Sequence, residues 1–131
     1  MMAYLLVAMG GALGSIARFW ASGVVSNHFI KFPWFGTLAV NVTGSFVIGF
    51  FGALTSEDSG SRNRITIIQF VMYGICGGYT TFSSFSLQTF NLLRDGEWLY
   101  AGGNVLLSVV LCMVAVWLGW LAGTALHSLK G

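Results

Sequence analysis

Charge is what this chain has least of: its 131 residues include 4 acidic and 6 basic side chains, so that charged residues make up only 8% of the whole. Soluble domains carry roughly a quarter, and water is therefore not the main solvent of this protein. All four acids, Glu57, Asp58, Asp95 and Glu97, fall in stretches between apolar runs, which leaves no carboxylate at membrane depth to bind a cation or carry a proton. The six basic residues are scattered singly or in one small pair, so no basic stripe exists that tracks a nucleic-acid backbone, and nucleic acid is not an expected partner. Cys76 and Cys112 lie far apart in apolar sequence, which fits neither a secreted disulfide framework nor a metal cluster. With so few histidines and acids a zinc or iron site lacks ligands. The segment from Met1 to Gly14 has no basic region before its apolar run and continues into further apolar sequence, so it reads as a retained first span and not as a cleaved signal.

What is present is apolar: 56% of the residues are hydrophobic. A hydrocarbon core about 30 Å thick takes roughly 20 residues per helix, and the chain has room for about four crossings with short connections. The spans are predicted at Ala3 to Val25, Trp34 to Thr55, Ile65 to Leu93 and Trp98 to Leu126, within one all-α membrane domain covering residues 1–131. Tyr4, Trp34, Trp98 and Tyr100 fall near span ends, where amphipathic rings favour the headgroup level. With four spans, Arg62, Arg64 and Lys130 share one side, while Lys31 and Arg94 share the other with Arg18 nearest to it. Such a balance leaves the usual excess of positive charge on the cytoplasmic side almost absent. It predicts a dual-topology protein whose copies insert both ways round and pair antiparallel; a weakly specified single orientation is the alternative. One half does not repeat the other, so two-fold symmetry requires a second chain.

Polar residues inside the spans mark the candidate site. Arg18 stands in GGALGSIAR, either as a fixed charge that draws an anion into a vestibule or as an arginine that snorkels to the interface. Gly10 and Gly14, four apart, give the same helix a close-packing face. In GTLAVNVTGSFVIG, Asn41 needs partners for its donors and its acceptor; it either bonds a neighbouring helix or lines a wet path where its NH₂ serves an anion.

The densest signal is GICGGYTTFSSFS, Gly74 to Ser86. Adjacent glycines followed by Thr80, Thr81, Ser83 and Ser84 combine backbone freedom with side chains that compete for backbone partners, and a break in the third helix is predicted near Gly77 to Thr81. In lipid an interrupted backbone persists where it is buried in protein or lines a cavity. The carbonyls it exposes suit a small cation and the amides an anion, although a simple kink repaired by Ser and Thr is the other reading. Phe82 and Phe85, three apart, share a helical face, and their positive ring edges can coordinate an anion without a full charge that would trap it. Asn104, Ser108 and Cys112 form a narrow polar stripe on the fourth span, either a line of donors or packing glue beside Gly119 and Gly123.

Together GGALGSIAR, GTLAVNVTGSF and GICGGYTTFSSFS resemble the signatures of the small bacterial fluoride channels, the Fluc or CrcB family. The resemblance implies a fluoride-selective channel of the bacterial inner membrane, not an enzyme. It also implies an antiparallel homodimer, or pairing with a sister chain, with a structural sodium ion at the dimer centre. By that likeness Gly77 and Thr80 match the positions whose carbonyls hold sodium. Phe82, Phe85, Asn41 and Ser108, with the hydroxyls of Thr81 and Ser84 and the charge of Arg18, match the fluoride pathway. Gln88 departs from the glutamate many members carry after the phenylalanine pair, and Asn104 and Cys112 depart on the fourth helix. Small four-helix drug or cation exporters share the size and the dual topology, but they depend on an acid in their first helix, and this first span has none. A membrane scaffold without transport is the remaining alternative.

Overall fold

A computed structural model describes residues 1–56 and 62–129; Glu57, Asp58 and Lys130, which contribute to the charge balance, lie outside the described residues. The described chain is helical with short connections. Helix α1 spans Met2–His28 and α2 spans Trp34–Ser56. The third crossing runs through α3 (Arg62–Ile67), a π-helical stretch (Ile68–Cys76), α4 (Gly77–Tyr79) and α5 (Phe82–Arg94), and α6 spans Trp98–Ser128. Helices are what an apolar sequence must form in lipid, because no water is there to satisfy free N–H and C=O groups. Among the described residues four segments are long and apolar enough to cross a membrane: Met2–His28, Trp34–Ser56, Arg62–Arg94 and Trp98–Ser128. Each lies within a few residues of its sequence expectation. At 1.5 Å per residue the 23 residues of α2 reach about 35 Å, and the longer 31 residues of α6 must tilt or project beyond the hydrocarbon.

The connections close with local bonds. The Ser26 hydroxyl donates to the Pro33 carbonyl at 3.0 Å, tying the end of α1 to the start of α2. Between α5 and α6 the chain turns at Gly96, whose φ of +81° lies in the left-handed region that favours glycine. The Glu97 amide donates there to the Leu92 carbonyl at 2.8 Å, which satisfies a carbonyl at the end of α5.

Small residues form the interior and large ones face outward: Gly10, Gly14, Gly49, Ala53, Ala115 and Gly119 are buried, whereas Phe19 is 84% exposed. Lipid tails are as apolar as leucine, so helices here associate through close backbone approach and interhelical hydrogen bonds, not through expulsion of water. A Cβ on Gly49 would strike the Val116 carbonyl of α6, and one on Gly119 would strike the Phe46 carbonyl of α2. On the other side of the molecule, Gly10 and Gly14 of α1 press against the carbonyls of Phe70 and Ile75. Both glycine pairs noted in the sequence therefore serve as packing faces.

In the third crossing Gly77 and Gly78 remain helical, and the residues with extended backbone are Thr80 (φ −83°, ψ 158°) and Thr81 (φ −151°, ψ 108°). The threonine side chains bond the backbone on both sides of the unwound pair. The Thr80 amide and hydroxyl both donate to the Cys76 carbonyl, at 3.0 and 2.9 Å, and the Thr81 hydroxyl accepts the Ser84 amide at 3.2 Å as the N-cap of α5. Gly78 instead lets α4 approach α1 closely, since a Cβ there would strike the Gly11 carbonyl.

Candidate functional site at the interrupted helix

Two side chains distant in sequence meet at two consecutive peptide units. Asn41 of α2 donates from Nδ2 to the Thr81 carbonyl at 3.1 Å and accepts the Thr81 amide on Oδ1 at 2.7 Å. In a continuous helix that amide would donate to the Gly77 carbonyl, so Asn41 takes the donor and leaves the Gly77 carbonyl without it. Arg18 of α1 donates from Nη1 to the Thr80 carbonyl at 3.3 Å. Gly44 permits the approach of α2, since a Cβ there would strike Thr80 Cγ2. The Thr43 and Tyr79 hydroxyls share a hydrogen bond of 3.0 Å one turn away. Each backbone group left unpaired in such a place costs about 1–3 kcal/mol, which is why the extended pair sits where Asn41 and Arg18 can serve it.

Two cavities flank this point. The first, about 500 Å³, brings together seven of the expected residues, Asn41, Gly77, Thr80, Thr81, Phe82, Phe85 and Ser108, with Cys76 and Cys112 also on its wall. The second, about 420 Å³, gathers Ser15, Arg18, Ser22, Thr37, Thr81, Ser83 and Ser84. Thr81 lines both cavities, so the polar groups of the extended segment stand between them. Its hydroxyl links to Ser83 Oγ at 3.1 Å and to Ser84 Oγ at 3.0 Å. The Phe82 and Phe85 rings lie 5.3 Å apart at 48°. Phe82 is 77% exposed, so the first cavity opens on a face that this chain does not cover.

Arg18 thus lies in a polar cavity with its charge turned inward, and Asn41 both bonds a neighbouring segment and lines a cavity, combining the two readings the sequence left open. The fourth-span stripe divides. Ser108 and Cys112 reach the first cavity, while Asn104, 1% exposed, donates to Thr89 Oγ1 at 2.9 Å and accepts from the Ser108 hydroxyl at 3.4 Å. Asn104 is glue between α5 and α6. Sequence reasoning missed Ser15, Ser22, Thr37 and Thr89; the first two flank Arg18 by three and four positions, a helical spacing that would have placed them on its face. Among the described residues no cluster of His, Cys, Asp or Glu is placed to hold a metal ion, and the donors at the interruption are neutral oxygens.

Four apolar crossings around an interruption whose polar backbone faces two open cavities define a small multi-pass membrane protein with the makings of an ion path. The chain belongs to the CrcB family: residues 5–120 match the family described as CrcB-like protein, Camphor Resistance (CrcB). It is 60% identical to the fluoride-specific ion channel FluC of Opitutus terrae, over 98% of this chain and 97% of that one. It is 53% identical to the FluC of Methylocella silvestris, over 99% of each chain, and 54% identical to that of Rhodospirillum rubrum, over 90% and 92%. The protein is accordingly a multi-pass protein of the bacterial inner membrane.

Proposed function

We propose that this chain is a fluoride channel, not an enzyme, that lets fluoride leave the cell down its gradient, and that it works as an antiparallel dual-topology homodimer with the helix interruption midway through the membrane. One observation carries the transport reading: Asn41 and Arg18 hold an extended Thr80–Thr81 segment between two cavities. The names of the relatives supply the ion.

Fluoride is strongly hydrated, so a pathway must replace its water with several donors, each weak enough to release it. Arg18 supplies the attracting charge in the second cavity, and the Thr81 and Ser84 hydroxyls carry the ion past the interruption. The second N–H of Asn41, the edges of Phe82 and Phe85 and the Ser108 hydroxyl then receive it in the first cavity. The Ser108 proton is held by Asn104 at a long 3.4 Å, a bond weak enough to be exchanged for one to an anion. The open face at Phe82 supports a partner chain, and two-fold pairing provides two pathways.

The residues present fit a sodium ion. The Gly77 carbonyl has lost its helical donor to Asn41, and the Thr80 carbonyl keeps one lone pair beside that given to Arg18. Two such carbonyls from each of two chains make a cage of neutral oxygens, which suits a hard ion of single charge. When bound, sodium supplies positive charge that offsets the carbonyl dipoles at the dimer centre.

A cation or drug exporter is disfavoured because α1 carries no acid. Efflux from liposomes decides: fluoride released while chloride stays inside is the expected result. Release of both, or of neither by correctly assembled protein, would overturn the proposal, the second outcome favouring a scaffold.

A further inference from the structure

A hydroxyl inside a membrane helix ordinarily gives its single proton to a backbone carbonyl one turn back. Thr43, Thr55, Ser86 and Thr89 do so here, donating to the carbonyls of Ala39, Phe51, Phe82 and Phe85 at 2.8 to 2.9 Å. Ser108 differs. On the wall of the first cavity, it donates instead to the side-chain Oδ1 of Asn104, four positions back, at 3.4 Å. The direction of this bond is fixed from its far end. Because the Thr89 proton is spent on the Phe85 carbonyl, Thr89 Oγ1 can only accept, and the Asn104 carboxamide turns Nδ2 toward it at 2.9 Å. Oδ1 is thereby left for Ser108. Neither Asn104 nor Thr89 lines either cavity at the interruption, so whatever they do to a passing ion they do through the Ser108 proton.

We infer that Asn104, oriented by Thr89, is a positioning residue for anion passage: it keeps the Ser108 proton off the helix backbone and within reach of an ion in the first cavity. The inference deepens the fluoride-channel reading and rests on it. A proton bound to a backbone carbonyl at 2.8 Å is costly to free, whereas one held at 3.4 Å is near the limit of hydrogen bonding and passes readily to a charged acceptor. When the ion moves on, Oδ1 takes the proton back, which keeps the ion's hold on Ser108 weak enough to release. A carboxamide turned the other way would present N–H to Ser108. The hydroxyl proton would then fall to the Asn104 backbone carbonyl, as it does at the other hydroxyls, and would be lost to the ion.

The half-saturating fluoride concentration for efflux from liposomes holding the full-length protein tests this. Ser108→Ala, Asn104→Leu and Thr89→Val are each expected to raise it about three- to tenfold, the range that one hydrogen bond provides. Thr89→Ser keeps the hydroxyl and should retain the wild-type value. Thr89→Val added to Ser108→Ala should raise it no further, because Thr89 acts through a proton already removed. Thr89→Val also keeps the shape of the side chain, so the test stands even where Asn104→Leu does not fold. A fall in maximal rate with the half-saturating concentration unmoved would reduce Asn104 to a tie between helices and overturn the inference. A lowered half-saturating concentration would overturn it too, by making Asn104 a competitor that hinders binding. Absence of fluoride release from the wild type would instead overturn the channel reading itself.

Discussion

At the scale of single residues, Asn41 has the largest share of the site, because one carboxamide satisfies both polar groups of the Thr81 residue. Asn41→Leu keeps the volume but strands a donor and an acceptor, a loss of roughly 2–6 kcal/mol at about 1–3 kcal/mol for each. The expected outcome is a lower unfolding midpoint in detergent together with loss of fluoride efflux. Phe82 and Phe85 make the complementary case. Neither ring enters a hydrogen bond, and Phe82 faces outward, so leucine at either position removes a ring edge while leaving the fold. Efflux should fall at least about tenfold, the effect of one lost interaction near 1.4 kcal/mol, with the unfolding midpoint retained. Undiminished efflux in both variants would remove the rings from the pathway.

At the scale of elements, glycine placement separates packing from flexibility. A Cβ on Gly14 would strike the Ile75 carbonyl and come within 2.9 Å of the Tyr79 amide nitrogen, whereas one on Gly11 meets nothing within 4 Å. Gly14→Ala is therefore expected to destabilise by about 1–3 kcal/mol through overpacking, and Gly11→Ala to be neutral or slightly stabilising through helix propensity. Unfolding of the two variants side by side checks the contrast, and equal midpoints would refute the packing role. These elements also show what the sequence could and could not reveal. Apolar runs of spanning length bring out all four crossings within a few residues, since bilayer thickness sets their length. The cluster GGYTTFSS marks the unwound region, but glycine content alone does not say that Gly77 and Gly78 stay helical while Thr80 and Thr81 extend. That outcome depends on Asn41, forty residues away, capturing the Thr81 amide. The π-helical Ile68–Cys76 was not legible, because side-chain patterns scarcely distinguish i→i+5 from i→i+4 bonding over so short a stretch. Likewise the Asn104 stripe has the same spacing whether it serves ions or holds helices together, and only its bond to Thr89 decides.

At the scale of the whole molecule, the proposed ion path needs more than one chain: Gly77 and Phe82 lie on an exposed face, and on that reading the Gly77 and Thr80 carbonyls make half a sodium cage. An antiparallel second copy supplies the other half if insertion is truly undecided, and the near-balance of Lys and Arg across the two sides is the physical basis for that indecision. Two added positive charges should then tip it. Asn63→Arg with Ser128→Arg loads one side, and Asn27→Arg with His28→Arg loads the other; all four positions are exposed. Either double variant expressed alone is expected to insert in a single orientation and to lose fluoride efflux, because its copies can pair only in parallel. Expressed together, the two should restore efflux, each providing the orientation that the other lacks. Accessibility of a terminal tag to a membrane-impermeant reagent reports orientation independently of transport. Full efflux from either variant alone, with its tag confined to one side, would show that antiparallel pairing is not how this channel assembles.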